Sequence, residues 1–225
     1  MQRHFEKELE QLKTDLIKMG SVVEEAIALS IKSLLEHNQE LARKVIDGDE
    51  RTNSFEIAID NAIVDLLALQ QPVAIDLRLI LSAQKINNDL ERIGDHAVNI
   101  AESALALLKK PIDAPLLEIP KMAHVAQAML RNALDGFIHQ DPQLGKSVLS
   151  QDDIIDELNR TMVTKVVQLM KSDQKAIDGG LELIRVSRNL ERVADLATNI
   201  AEEVIFITQA RVVKHHAAED DVSPS

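Results

Sequence analysis

The sequence contains no cysteine, tryptophan or tyrosine, and its four phenylalanines make up only 2% of the 225 residues. The absence of cysteine excludes disulfides and thiolate metal ligands. With so few aromatic residues, the core must consist mainly of Leu, Ile, Val and Ala, a composition typical of helix-on-helix packing. Glycine and proline are also scarce, at 7 and 6 residues, and we expect them mainly at helix breaks.

Long apolar runs are also missing from the sequence. None approaches the ~18–20 residues that span a bilayer, and the first ten residues, MQRHFEKELE, are too charged for a signal peptide. The formal net charge of −12 disfavours nucleic acid as a partner and favours cations or a basic protein surface. We therefore expect a cytoplasmic protein with no membrane insertion and no nucleic-acid partner.

One stretch of the sequence occurs twice. LERIGDHAVNIAE at 90–102 returns one hundred residues later as LERVADLATNIAE at 190–202, with nine of the thirteen positions identical. Such self-similarity indicates two copies of one structural unit.

Each copy is expected to be an α-helix with one acidic face. At about 100° per residue, Glu91, Asp95 and Asn99 lie on one side and small apolar residues on the other. Glu191 and Asp195 repeat the pattern in the second copy. Two carboxylates at i and i+4 repel each other and weaken a helix by a few tenths of a kcal/mol, a cost that a bound cation would offset.

Apolar residues recur at spacings of three and four along most of the chain, which predicts long amphipathic helices. We expect six, over about 3–36, 39–69, 74–109, 117–139, 143–171 and 173–211. Gly179 and Gly180 should weaken the first turns of the sixth. The prediction is an all-α fold of two tandem three-helix bundles related by internal duplication, over 1–112 and 113–211, followed by a disordered tail over 212–225.

The helix hairpins bring further oxygen-bearing side chains to the level of the motif. A turn near 71–72 places Glu91 and Asp95 opposite Asp49 and Asn53, which are themselves four residues apart. In the second half, a turn near 172–173 places Glu191 and Asp195 near the level of Asp152 and Asp156, which are also four residues apart. Hard and borderline cations prefer such oxygen ligands. The candidate metal ligands are Asp49, Asn53, Glu91, Asp95, Asp152, Asp156, Glu191 and Asp195.

Two other interpretations compete with this one. The acidic stripe could be solvated and paired with Arg92 and Arg192, in a metal-free helical adaptor. The chain could instead be a carboxylate-bridged di-metal oxidase or ferroxidase, but such sites use Glu-x-x-His on two helices and the chain contains no Glu-x-x-His. We therefore expect no enzyme activity. His96 lies off the acidic face and is expected at the surface rather than as a ligand.

The sequence resembles the PhoU family, the accessory regulators of bacterial phosphate uptake. The resemblance rests on QPVAIDLRLI at 71–80, NNDLERIGDHAVNI at 87–100 and SRNLERVADLATNI at 187–200, and more weakly on the stretches at 45–53 and 151–156. It implies two three-helix bundles, a cytoplasmic location, a homodimer and metal clusters at the paired ExxxD motifs. The residues leave iron, zinc, manganese and magnesium open as the metal. The resemblance also implies repression of the phosphate-starvation response through the phosphate ABC transporter, including its ATPase subunit, and a sensor histidine kinase.

Overall fold

A computed structural model describes residues 2–72, 74–109, 112 and 118–210 of the chain. Over these residues the chain forms helices joined by short connections. They are α1 (Gln2–Leu35), α2 (Gln39–Gln70), α3 (Ala74–Lys109), α4 (Ile119–His139), α5 (Pro142–Leu149), α6 (Asp152–Ser172) and α7 (Ile177–Gln209), with a 3-10 turn at Gln174–Ala176. The all-α prediction is confirmed.

The first bundle consists of α1, α2 and α3, each packed against the other two. The apolar stripe predicted on α1 is its buried face, made by Leu9, Leu12, Leu16, Met19, Val23, Ile27, Ile31 and Leu34. Asn38 caps α2 by accepting hydrogen bonds from the backbone of Glu40 and Leu41. Gln71 ends α2 in the left-handed region at φ 48°, directly before the proline that was expected to stop the helix.

The second bundle consists of α4 to α7, with α5 and α6 in place of the single fifth helix that the sequence predicted. The break falls at Ser150 and Gln151. The Ser150 hydroxyl donates to the Ser147 carbonyl at 2.8 Å, and Gln151 Nε2 donates to the same oxygen at 3.3 Å. These side chains compete with the helical backbone bonds, which apolar periodicity does not reveal.

The two glycines expected to weaken the start of the last helix are both buried inside α7, which continues through them. A Cβ built at Gly180 would lie 2.9 Å from Met170 Cγ and 3.0 Å from Val166 Cγ1, both on α6. Gly180 therefore allows α6 and α7 to approach closely, and this packing outweighs its low helix propensity.

The two bundles meet along α3 and α7, which run antiparallel. At one end Ser82 Oγ donates to Glu203 Oε2 at 2.7 Å, and at the other Arg185 Nη2 donates to Asn99 Oδ1 at 2.8 Å. Lys85 and Arg185, which are one hundred residues apart, each reach a glutamate on the opposite helix, Glu203 at 2.6 Å and Glu102 at 2.7 Å. A local pseudo-twofold axis therefore relates α3 and α7. We call this contact the seam.

Some of the sequence predictions fall outside the described residues. The tail over 212–225 does, and so do residues 113–117 at the expected boundary between the bundles, so both stay predictions. In the part of the chain that is described, no helix is long and apolar enough to cross a membrane.

Candidate metal centre

In the first half, the predicted ligands lie on the facing sides of α2 and α3. The hairpin register is fixed by Asn87, whose Nδ2 donates to Asp60 Oδ1 at 2.8 Å and to the Glu56 carbonyl at 3.1 Å. Gly94 permits the helices to approach, because a Cβ there would lie 3.1 Å from Thr52 Cγ2 and 3.7 Å from Asp49 Oδ1. The register therefore brings Asp49 to the helix that carries Glu91 and Asp95.

The first group of carboxylates interacts through space. Burial raises the pKa of Glu91, and the negative charges of Asp95, Glu56 and Asp49 raise it further, against the opposing effect of Arg92. Asn53 Nδ2 donates to Asp49 Oδ2 at 3.0 Å. All four predicted residues of this half thus belong to one neighbourhood, which also includes Glu56, an acid that the sequence prediction missed.

In the second half, Asp152 and Asp156 lie on α6 against Glu191 and Asp195 on α7. The register is fixed by the buried Ser187, whose hydroxyl donates to Asn159 Oδ1 at 2.7 Å. Burial raises the pKa of Glu191, and the charges of Asp195 and Asp156 add to this effect. The structure therefore brings together the predicted residues of this half as well.

Arg192 distinguishes the second group. Burial raises the pKa of Asp195, the nearby charge and hydrogen bond of Arg192 lower it, and Asp152 and Asp156 raise it again. The guanidinium lies 2.7 Å from Asp195 Oδ2 and 3.9 Å from Glu191 Oε2. One cation of the chain itself therefore lies among the candidate ligands.

The described residues contain no group of three or more His, Cys, Asp or Glu side chains placed to hold a metal ion as they stand. The donor set nevertheless fits a hard or borderline cation, since each half offers carboxylates from two adjacent helices. In the first half Asp49 accepts a hydrogen bond from Asn53. In the second half Asp195 is engaged by Arg192 and Asp152 by the Thr198 hydroxyl. Metal binding would require these side chains to release their donors and turn towards a common point.

Next to the first group, the seam forms a cleft of about 580 Å³ that sequence reasoning missed. Asp89 lines it and is buried. Burial raises the pKa of Asp89 to about 6, against lowering by Arg92 and by a hydrogen bond to Asn199. The complete lining is Glu56, Lys85, Asn88, Asp89, Glu91, Arg92, Asn199, Glu202 and Glu203. Periodicity places Asp89 on α3 but does not show which helix covers it.

His96 also belongs to the seam and is not on the open surface as the sequence suggested. It is half-buried, and its Nδ1 lies 2.8 Å from Asn189 Oδ1 on α7. The contact joins the two bundles, which explains why a histidine occurs off the acidic face.

Comparison with known proteins identifies the family. The model of the PhoU domain matches the chain twice, over residues 16–104 and 119–204. The phosphate-specific transport system accessory protein PhoU homologue of Aquifex aeolicus is 39% identical over 209 residues, covering 93% of this chain and 95% of the relative. Homologue 1 of Thermotoga maritima is 35% identical over 212 residues, covering 94% and 91%.

Solved structures agree with this assignment. The crystal structure of PhoU from Pseudomonas aeruginosa is 36% identical and superposes with a TM-score of 0.90, covering 92% of this chain and 100% of that one. The phosphate transport system regulatory protein PhoU from Streptococcus pneumoniae is 28% identical, with a TM-score of 0.87 and coverage of 94% and 100%. The two matched segments correspond to the two bundles that carry the repeated motif, and the chain therefore belongs to the PhoU family.

Proposed function

We propose that the protein is an accessory regulator of a phosphate transport system. The observation that carries the proposal is the match of both bundles to the PhoU domain. Support also comes from the names of its relatives, which are accessory proteins of the phosphate-specific transport system. In this function the protein is a binding partner and not an enzyme.

The proposed partners are the ATPase subunit of a phosphate ABC transporter and a sensor histidine kinase. Through them the protein represses the phosphate-starvation response, acting in the cytoplasm as a homodimer. The net charge of −12 makes basic surfaces on these partners the expected contacts. Two related bundles could present one binding face to each partner.

We also propose that each bundle binds metal through its paired carboxylates. Asp49, Asn53, Glu91 and Asp95 would hold metal in the first half. Asp152, Asp156, Glu191 and Asp195 would do so in the second. Iron, zinc, manganese and magnesium are the candidate ions, and a bound ion would neutralise the mutual repulsion of the carboxylates. Burial is the main cause of the raised pKa values of Glu91 and Glu191, and repulsion by the neighbouring carboxylates adds to it.

The regulatory proposal is tested by deleting the gene. We expect phosphate-starvation genes to remain expressed in phosphate-rich medium, whereas normal repression in the deletion strain would reject the proposal. The purified protein should bind the ATPase subunit or the cytoplasmic part of the kinase, and binding should weaken between about 50 and 500 mM salt because part of it is electrostatic. Binding to promoter DNA should be absent.

The metal proposal is tested by metal analysis of protein purified without chelator. Glu91→Ala combined with Asp95→Ala should remove metal from the first half and leave the second loaded. Asp47→Ala combined with Glu50→Ala is the matched control, because it removes the same charge from exposed positions of α2. No metal in the parent protein would favour the metal-free adaptor, and equal losses in both double variants would reject the assigned ligands.

A further inference from the structure

The arginine of the repeated motif, Arg92 in the first half and Arg192 in the second, pairs with a different carboxylate in each half. Arg192 Nη1 lies 2.7 Å from Asp195 Oδ2, one turn towards the C-terminus. Arg92 Nη1 instead lies 3.8 Å from Asp89 Oδ1, one turn towards the N-terminus. Both side chains are similarly exposed, at 61% and 59%, so solvent access does not explain the difference.

One difference between the copies bears directly on this pairing. Asp89 in the first half corresponds to Asn189 in the second. Asn189 has no charge to attract an arginine, and its amide is already used: Oδ1 contacts His96 and Nδ2 donates to the Arg185 carbonyl at 2.7 Å. Arg192 instead pairs with the carboxylates of the motif itself, Asp195 and Glu191. Asp89, in contrast, offers Arg92 a charged partner on the side of the helix away from Asp95.

We propose that Arg192 is an internal competitor for metal in the second half, and that Arg92 has no such role in the first. The inference rests on the proposed metal function. A cation entering the second site must displace the guanidinium from Asp195, whereas Asp95 has no ion-pair partner among the residues that the structure describes. The second site is consequently the weaker one, and the first fills at lower metal concentration.

The charges that the seam presents beside the two sites also favour metal binding at the first site. The cleft beside the first site presents Asp89 and Glu203, whereas the corresponding positions of the second half are Asn189 and Ser103. A cation approaching the first site therefore meets more negative charge than one approaching the second. Removing the Arg192 guanidinium should therefore reduce the difference in metal affinity between the two sites without abolishing it.

The experiment measures Mn²⁺ affinity by calorimetry on the full chain with one site disabled at a time. Glu91→Gln with Asp95→Asn isolates the second site, and Glu191→Gln with Asp195→Asn isolates the first. Into these backgrounds we place Arg192→Gln and Arg92→Gln, respectively. The two arginine variants are matched because each removes one charge from the same motif position on an exposed side chain, so circular dichroism should show unchanged folding.

We expect Arg192→Gln to tighten Mn²⁺ binding at the second site by about two- to five-fold, the range of an exposed ion pair. Arg92→Gln should tighten the first site less. Equal gains in Mn²⁺ affinity, or a larger gain from Arg92→Gln, would show that removing either arginine acts only through general electrostatics. That result would overturn the inference but leave the proposed metal function in place. A parent protein that binds no Mn²⁺ at either site would instead overturn the proposed metal function itself.

Discussion

The two halves share their acidic motif but differ in the charges next to it. The charged residues that line the cleft beside the first group are Glu56, Asp89, Glu91, Glu202 and Glu203, against Lys85 and Arg92. The corresponding acids of the second half are Asp156, Glu191 and Glu102, against Arg185, Arg188 and Arg192. The halves therefore share the carboxylates of the motif, while three residues beside them in the cleft differ in charge: Asn88, Asp89 and Glu203 correspond to Arg188, Asn189 and Ser103. Similar motifs in one chain need not form equivalent sites.

The halves also differ at Gly145, whose counterpart in the first half is Val45. A Cβ at Gly145 would lie 3.0 Å from the Ala201 carbonyl oxygen and 3.2 Å from Ile205 Cγ1. Gly145→Val should therefore push α5 away from α7 and lower the free energy of unfolding by about 3 kcal/mol. Urea unfolding followed by circular dichroism measures the loss.

Gly48→Val is the control for this packing argument. Gly48 is exposed on α2, and nothing lies within 4 Å of the position that a Cβ would take there. The same substitution should change the free energy of unfolding at this position by less than about 0.5 kcal/mol. Similar losses from the two variants would contradict the close-packing explanation, because helix propensity alone favours Val over Gly at both positions.

The next largest effect on stability is expected from Asp89→Asn. This substitution introduces the residue found at the corresponding position of the second half, Asn189. Burial raises the pKa of Asp89 from an ordinary 3.8 to about 6, while Arg92, Asn199 and Lys85 lower it and Glu203 raises it. The folded protein then binds more protons than the unfolded chain between about pH 4 and 6. The contribution of Asp89 to stability consequently falls as the pH rises through this window.

On raising the pH from 4 to 7, Asp89→Asn should gain about 2 kcal/mol of stability relative to the parent protein. Chemical unfolding of both proteins at the two pH values, with chelator present, measures this difference. Asp153→Asn, on the exposed side of α6, is the control and should show no such gain. Asp141→Asn would not serve, because Asp141 caps α5. A parent and variant whose stabilities change in parallel would contradict the raised pKa of Asp89.

The smallest expected effect concerns His96, whose counterpart in the second half is Leu196. His96→Leu removes the partner of Asn189 Oδ1 at 2.8 Å and should destabilise the protein by about 1 kcal/mol. Thermal unfolding would detect the change. His124→Gln, at an exposed position of α4, should have little effect. No loss in His96→Leu would mean that apolar contact can replace this bond across the seam.

Much of the fold could be predicted because its signals are local. The stripe from Leu9 to Leu34 predicted α1 and its buried face, and the turn near 71–72 gave the level at which α2 meets α3. The same register brought Asp49 into the neighbourhood of Glu91, as the pKa of Glu91 indicates. The division of α5 from α6 was missed because it depends on side-chain hydrogen bonds at Ser150 and Gln151.

The sequence alone determined the helices, their duplication and the acidic face, because apolar spacing and carboxylate spacing are properties of one helix at a time. Only the tertiary structure decided what lies across the seam from that face. The buried state of Asp89 and the contact of His96 with Asn189 depend on a helix about a hundred residues away in the chain. The direction taken by Arg192 follows from that arrangement, since His96 across the seam engages the amide of Asn189 and Asp195 is the carboxylate that Arg192 pairs with.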